Sequence, residues 1–273
     1  MLKQRVITAL GLAIIFIGSI LLADHHWVVA LFTVALFAAC YELLMLTIKP
    51  GLTASVALAM MVAALFWASS EYSGIRVNFY QSFAGLLLWI AILGFLLRYR
   101  FSGQWSLAVR TFQFSLGLAL LWICVHGLVF LHQNFEQGGW ILLYLLTLAW
   151  VADIGAYFSG RKFGKHKLAP GISPGKTWEG VAGGIILNIG WMLIVFRISN
   201  GWEIVLWQFL LIGLATSLIS VVGDLYESIL KREASVKDSG KLLPGHGGVL
   251  DRVDSMIAAT PIFVTGLYTV GAV

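Results

Sequence analysis

The stretch GDLYESILKREASVKDSGKLLPGHGGVLDRVD, residues 223–254, decides how this chain must be read. It gathers six acids, five Lys or Arg, one His and five Gly between two long apolar runs. Ionised side chains are costly beside a bilayer, so a dense mixed-sign cluster bounded by apolar segments marks a functional site. Everything outside the stretch has to account for how that cluster is held and what reaches it.

The composition supports this frame. Of 273 residues, 59% are hydrophobic and 11% charged, where soluble domains carry about 25% charged residues. A mean hydropathy of +0.89 describes a polytopic membrane chain. The 11 Trp and 17 Phe suit membrane interfaces and helix contacts. Cys40 and Cys124 each lie alone in an apolar run with no CxxC spacing, and are expected to be buried and inert. The first residues, with Lys3 and Arg5 ahead of an apolar run ending near Ala23, have the outline of a secretory signal. Leu21 stands at the −3 position of a cut after Ala23, where a small residue is needed, so an uncleaved first span is expected.

A hydrocarbon core of ~30 Å takes ~20 apolar residues as helix. That ruler predicts nine spans, at about 6–23, 27–48, 52–69, 80–97, 110–131, 139–160, 178–197, 203–225 and 253–271. Lys49-Pro50-Gly51 alone separates the second and third. With the N-terminus in the cytoplasm, every one of the 18 Lys and Arg except Arg76 and Arg197 falls on the cytoplasmic side, as the positive-inside rule requires. The expected fold is thus an all-α polytopic integral membrane protein of about nine transmembrane helices, N-terminus cytoplasmic and C-terminus on the outer side. The net charge of +5 becomes a feature of one membrane face, suited to lipid headgroups or phosphate ligands; it calls for no nucleic acid.

Residues 1–137 are nearly free of charge within their spans and read as scaffold and lipid-facing wall. Residues 138–273 carry the chemistry. Glu42 is the acid within the early spans; it is expected to pair with a basic residue, and its other reading is that it reaches the site. His25, His26, His126 and His132 are expected to be solvated interface residues.

From the sixth span onward the character changes. Asp153 lies ~10 Å before Gly160 along a helix rising ~1.5 Å per residue, and a carboxylate at that depth needs a partner, a proton or a wet cavity. Gly155, Ala156 and Gly160 beside it favour close helix packing. The loop from Arg161 to Gly180 holds Arg161, Lys162, Lys165, Lys167 and Lys176, with no acid before Glu179. Its Ser173-Pro174-Gly175-Lys176-Thr177 segment reads as a turn opening a helix, and glycines with a helix N-terminus suit an anion. The spacing lacks the first glycine of a P-loop, which excludes that site.

In the organising stretch, a helix continuing past span eight sets Asp224, Glu227, Ser228 and Lys231 on one face. Asp251 and Asp254 share a face at the start of span nine. Two acidic faces at one level suit Mg²⁺, which takes carboxylate and phosphate oxygens. A Glu227–Lys231 pair accounts for Glu227 but leaves Asp224 unexplained. Between them Lys237, Asp238, Lys241 and Pro244-Gly245-His246-Gly247-Gly248 suit a nucleotide bound with its metal, and His246 reads as a base or a ligand contact.

These residues also carry a family pattern. Ser228-x-Leu230-Lys231-Arg232-x4-Lys237-Asp238-x-Gly240-x2-Leu243-Pro244-x-His246-Gly247-Gly248-Val249-x-Asp251-Arg252-Val253-Asp254 resembles the signature of the phosphatidate cytidylyltransferases, with no departure inside it. Ser173-Pro174-x-Lys176-Thr177-x-Glu179-Gly180 and Asp153-x-x-Ala156-Tyr157 are similar to further features of that family. The resemblance covers the last four spans; the first five are similar in length and hydropathy alone. It implies transfer of CMP from CTP to phosphatidate, with pyrophosphate released and Mg²⁺ required, in the service of phospholipid synthesis.

The helix-face reading of Asp224 and the resemblance together make Asp224, Lys237, Asp238, His246, Asp251 and Arg252 the expected catalytic set. Asp224, Asp251 and Asp254 are the expected metal residues, with a second cation left open. Lys176, Ser228, Lys231, Arg232, Lys241, Gly247 and Gly248 are the expected substrate contacts, and Asp153, Glu179 and Glu227 are supporting acids. The partners expected are CTP, phosphatidate and the lipid bilayer, with a homodimer left open. The expected location is a bacterial inner membrane, active site toward the cytoplasm. Two other readings stand beside this one: a CTP-dependent lipid kinase and a cation-coupled transporter. The transporter fits less well, because its acids belong near the bilayer midplane and in both halves of the chain.

Overall fold

The computed structural model describes residues 2–70, 74–101, 103, 105–243, 245 and 247–272. Nine α-helices follow one another among them: α1 Leu2–Leu22, α2 His25–Thr47, α3 Leu52–Ser70, α4 Ile75–Arg98, α5 Leu107–Asn134, α6 Gly138–Phe163, α7 Trp178–Ile198, α8 Leu206–Glu233 and α9 Leu250–Thr269. Helices α2 to α8 are each long and apolar enough to cross a membrane, and the chain is an all-α membrane protein. A helix satisfies its own backbone groups, so it is the form an isolated apolar segment takes in lipid.

The ends of the helices have local causes. Ser106 accepts from Val109 N at 3.4 Å and starts α5; Thr177 accepts from Gly180 N at 3.1 Å and starts α7. The expected tight turn after α2 forms with Lys49 in the left-handed region, φ 55°. Its N–H reaches back to Leu44 O at 2.9 Å, closing the last turn of α2.

One expectation changes. Ser173-Pro174-Gly175-Lys176-Thr177 is not a turn but strand β2, Ser173–Thr177, paired antiparallel with β1, Lys167–Ala169. Five non-helical residues ahead of a helix offer unpaired N–H and C=O groups, and a short hairpin satisfies them locally.

Helix α9 sits at the centre. It packs against α2, α4, α5, α6 and α8, and Ser255 through Thr265 is buried without a break. Helices α2, α4 and α5 of the N-terminal half thus pack directly on the helix that carries Asp251 and Asp254. Gly155 and Gly160 of α6 meet Gly184 and Gly180 of α7, the small-residue packing expected of membrane helices. Cys40 and Cys124 are free and buried. His126 departs from its expectation: it is buried between Phe66 and Trp122 and contacts Ser69 Oγ at 3.1 Å. His132 reaches Ile20 O at 3.1 Å.

Candidate active site

The cluster assembles from β2, the C-terminal half of α8, the loop 234–249 and the first turns of α9. Helices α8 and α9 approach so closely at Gly223 that a Cβ there would lie 2.5 Å from Asp254 O. The contact sets Asp224 and Asp254 at one level on facing helices, within electrostatic reach of each other. Asp153, on α6, faces the same space and feels Asp224, Lys176 and Arg252.

Lys176 reaches from β2 to Asp224, Nζ to Oδ2 2.6 Å, with the two side chains 25% and 29% exposed. Ser228, one turn along α8, donates to Asp224 Oδ1 at 3.3 Å. This pair is open enough to exchange partners with a ligand.

The second ion-pair group is closed. Lys231 Nζ lies 2.5 Å from Glu227 Oε2 and 2.7 Å from Asp251 Oδ1, and Glu227 and Asp251 are only 4% and 8% exposed. Asp251 Oδ2 accepts from Ser239 N and Gly248 N, each at 2.9 Å, and lies 2.9 Å from Ser239 Oγ. Burial opposes the Asp251 charge, but Lys231 and the Gly248 and Ser239 N–H groups outweigh it and lower the carboxyl to about 2. The Glu227–Lys231 pair is present as expected. Asp251, expected to ligate a metal, has both oxygens engaged by protein donors.

The remaining expected residues divide by position. Arg232 Nε donates to Ile172 O at 3.2 Å, tying the end of α8 to the β1–β2 hairpin. Glu179 accepts from Lys165 N at 3.1 Å, His166 N at 3.2 Å and His166 Nδ1 at 2.6 Å; these bonds position the loop ahead of β1. Lys237, Asp238, Lys241 and Arg252 are exposed. Leu243 N donates to Gly247 O at 3.0 Å, and Gly245 and Gly247 have φ of 79° and 83°, which glycine adopts without strain. Pro244 and His246 lie outside the described residues. Gly248, expected to let backbone approach a ligand, instead closes on Ser239 and Glu42.

One residue of the cluster, Ser239, was not among the expected ones, and another, Glu42, reaches the site as its second reading had it. Ser239, 6% exposed, occupies an unspecified position of the motif, and a single serine in a loop carries no sequence signal. Glu42, from α2, is 1% exposed. Among the described residues it pairs with no basic side chain: its Oε2 accepts from Ser239 Oγ at 3.0 Å and Leu250 N at 2.8 Å.

Among the described residues no three His, Cys, Asp or Glu side chains gather closely enough to cage a metal. An ion here would therefore draw most of its ligands from elsewhere. Mg²⁺ does so habitually, taking one or two carboxylates with phosphate and water oxygens; Asp224 and Asp254 fit that donor set.

Comparison with known proteins identifies relatives of the chain. The chain is 38% identical to the phosphatidate cytidylyltransferase of Pseudomonas aeruginosa, over 99% of this chain and 98% of the relative. It is 33% identical to that of Bacillus subtilis over 98% and 99% of the two chains. A relative of the same name from Haemophilus influenzae is 54% identical over 130 residues, 46% of this chain and 45% of its own. The model of the cytidylyltransferase family matches residues 3–270, and the chain belongs to that family.

Proposed function

We propose that this membrane nucleotidyltransferase moves the CMP group of CTP onto phosphatidate, yielding CDP-diacylglycerol and pyrophosphate for phospholipid synthesis. The observation that carries the reading is the half-buried Lys176–Asp224 pair beside Asp254 and Asp153. Two polyanionic substrates need cations to neutralise phosphate and carboxylates to hold a divalent ion, and this group supplies both. The full-length relatives bearing that enzyme name support the choice of substrates.

In this reading an oxygen of the phosphatidate phosphate attacks the α-phosphorus of CTP. A new P–O bond forms there, and the bond from the α-phosphorus to the oxygen bridging to the β-phosphate breaks. Pyrophosphate leaves with that electron pair. The nucleophile is already anionic at neutral pH, so positioning and charge neutralisation dominate over proton removal. Lys176, Arg232, Lys237, Lys241 and Arg252 hold phosphate oxygens. Asp224 and Asp254 hold Mg²⁺, and Asp251 keeps Lys231 and its loop in place, a different task from the ligand role expected of it. When bound, Mg²⁺ neutralises phosphate charge and templates the two substrates.

The placement in the membrane belongs to the same reading. All nine helices cross a bacterial inner membrane, the N-terminus lies in the cytoplasm and the C-terminus outside, and the site opens at the cytoplasmic headgroup level. The distribution of Lys and Arg supports it.

The test is transfer by purified protein in detergent with phosphatidate, Mg²⁺ and CTP labelled at either the α- or the γ-phosphate. Lipid labelled from α-CTP and not from γ-CTP is expected. Label from γ-CTP alone would identify a lipid kinase instead, and no transfer from either by folded protein would overturn the reading.

A further inference from the structure

We infer that Glu42 is a positioning residue for the transfer reaction, holding Ser239, Gly248 and the start of α9 so that Asp251 is fixed against Lys231. The inference rests on the proposed reaction and adds to it a residue from the scaffold half of the chain.

Four observations converge. Val249 at the start of α9 offers no side-chain cap, and the N-terminal N–H groups of a helix need acceptors. Glu42 supplies one from α2: its Oε2 accepts from Leu250 N at 2.8 Å. Ser239 then joins Glu42 to Asp251, its Oγ 3.0 Å from Glu42 Oε2 and 2.9 Å from Asp251 Oδ2. Finally, the loop is moulded around the Glu42 carboxylate. A Cβ at Gly240 would lie 2.2 Å from Oε1, and one at Gly248 would lie 2.4 Å from Oε2 and 2.0 Å from Ser239 Oγ.

A carboxylate 1% exposed on a scaffold helix is expensive unless its hydrogen bonds are used. Here they end at Asp251, whose other oxygen holds Lys231 at 2.7 Å. The same loop carries Lys237 and Lys241, assigned above to phosphates. Glu42 touches no substrate in this account; it acts through Ser239, Leu250 and Asp251.

The experiment compares Glu42→Ala, Glu42→Gln and Ser239→Ala with the unmodified protein in the labelled-CTP assay and by hydrogen exchange of the 239–251 amides. Glu42→Ala is expected to lower kcat about tenfold or more, because small misplacements near the chemistry are amplified. KM for phosphatidate should stay within about twofold, the pattern of lost transition-state positioning. Exchange should quicken in 239–251 and not in α4 or α5. Glu42→Gln, whose amide oxygen still accepts the Leu250 N–H, should recover most of kcat.

Ser239→Ala leaves the cap on Leu250 and the Ser239 N–H on Asp251 and removes only the hydroxyl between the two carboxylates, so it decides the matter if Glu42→Ala does not fold; kcat should fall while the Leu250 amide stays protected. Undiminished kcat in Ser239→Ala or in folded Glu42→Ala, or a Glu42→Gln variant as impaired as Glu42→Ala, overturns the inference. Unmodified protein that makes no labelled lipid overturns the proposed reaction instead, and the exchange measurement then still decides whether Glu42 holds the loop.

Discussion

The indole N–H of Trp89, on α4, donates to the carbonyl oxygen of Ile257, on α9, at 3.1 Å. Ile257 needs that donor because Pro261, four residues on in the same helix, has no N–H to give it. Trp89 is 1% exposed, and a carbonyl buried without a donor there would be costly. Helix α4 also accommodates the proline ring itself: a Cβ at Gly85 would lie 2.7 Å from Pro261 Cβ. The central helix can therefore carry proline because a neighbour from the scaffold half completes its hydrogen bonding.

Trp89→Phe should destabilise the protein by about 0.5–1.5 kcal/mol, the net worth of one hydrogen bond. In a Pro261→Ala background, where residue 261 regains an N–H for Ile257 O, the same change should cost less. A double-mutant cycle on denaturant unfolding in detergent measures the difference, and equal costs in both backgrounds would refute the compensation.

Asp224→Asn should leave folding intact, because its side chain is 29% exposed, and lower turnover by roughly a hundredfold or more if it holds the metal. Chelation with EDTA should abolish lipid labelling and added Mg²⁺ restore it. Asp254→Asn should shift the Mg²⁺ titration of activity to higher concentration. An Asp224→Asn enzyme with full activity would remove it from the metal site.

Lys231→Met should be among the most damaging single changes to stability. It leaves Glu227 and Asp251, 4% and 8% exposed, with no cation between them, and breaking a buried ion pair costs about 3–5 kcal/mol. Adding Glu227→Gln removes one of the stranded charges and should recover part of the loss. Thermal unfolding of the single and double variants checks the order.

Gly248→Ala should lower kcat about tenfold or more through displacement of Ser239, since the added methyl would sit 2.0 Å from Ser239 Oγ. Gly171→Ala, at a glycine with nothing within 4 Å of a built Cβ, should leave kcat unchanged. Equal activity in the two variants would show that the loop does not depend on that contact.

Much of the architecture was legible along the chain because its signals are local. Each apolar run from Leu52 or Trp178 onward reports its own transfer from water to lipid, and each became a helix. The pairing of Glu227 with Lys231 was legible for the same reason, since one helical turn separates them. The β1–β2 hairpin was missed because its bonds satisfy backbone groups, which the pattern of side chains around Lys176 does not report.

Sequence by itself determined which segments are helical and apolar, which family the chain belongs to, and that Asp224, Lys231, Asp251 and Asp254 gather in one charged stretch. Tertiary structure alone decided that α9, with Asp251, Arg252 and Asp254 near its start, is the enclosed central helix. It also decided that Asp251 is committed to Lys231, Ser239 and Gly248 while Asp224 stays open beside Lys176. Only there does Glu42 find its donors, Ser239 and Leu250, 197 and 208 residues away. The physical reason is one of range. Hydropathy and helical spacing are set by neighbours within a few turns, whereas a buried carboxylate takes its donors from whichever helix or loop packing brings within hydrogen-bond reach.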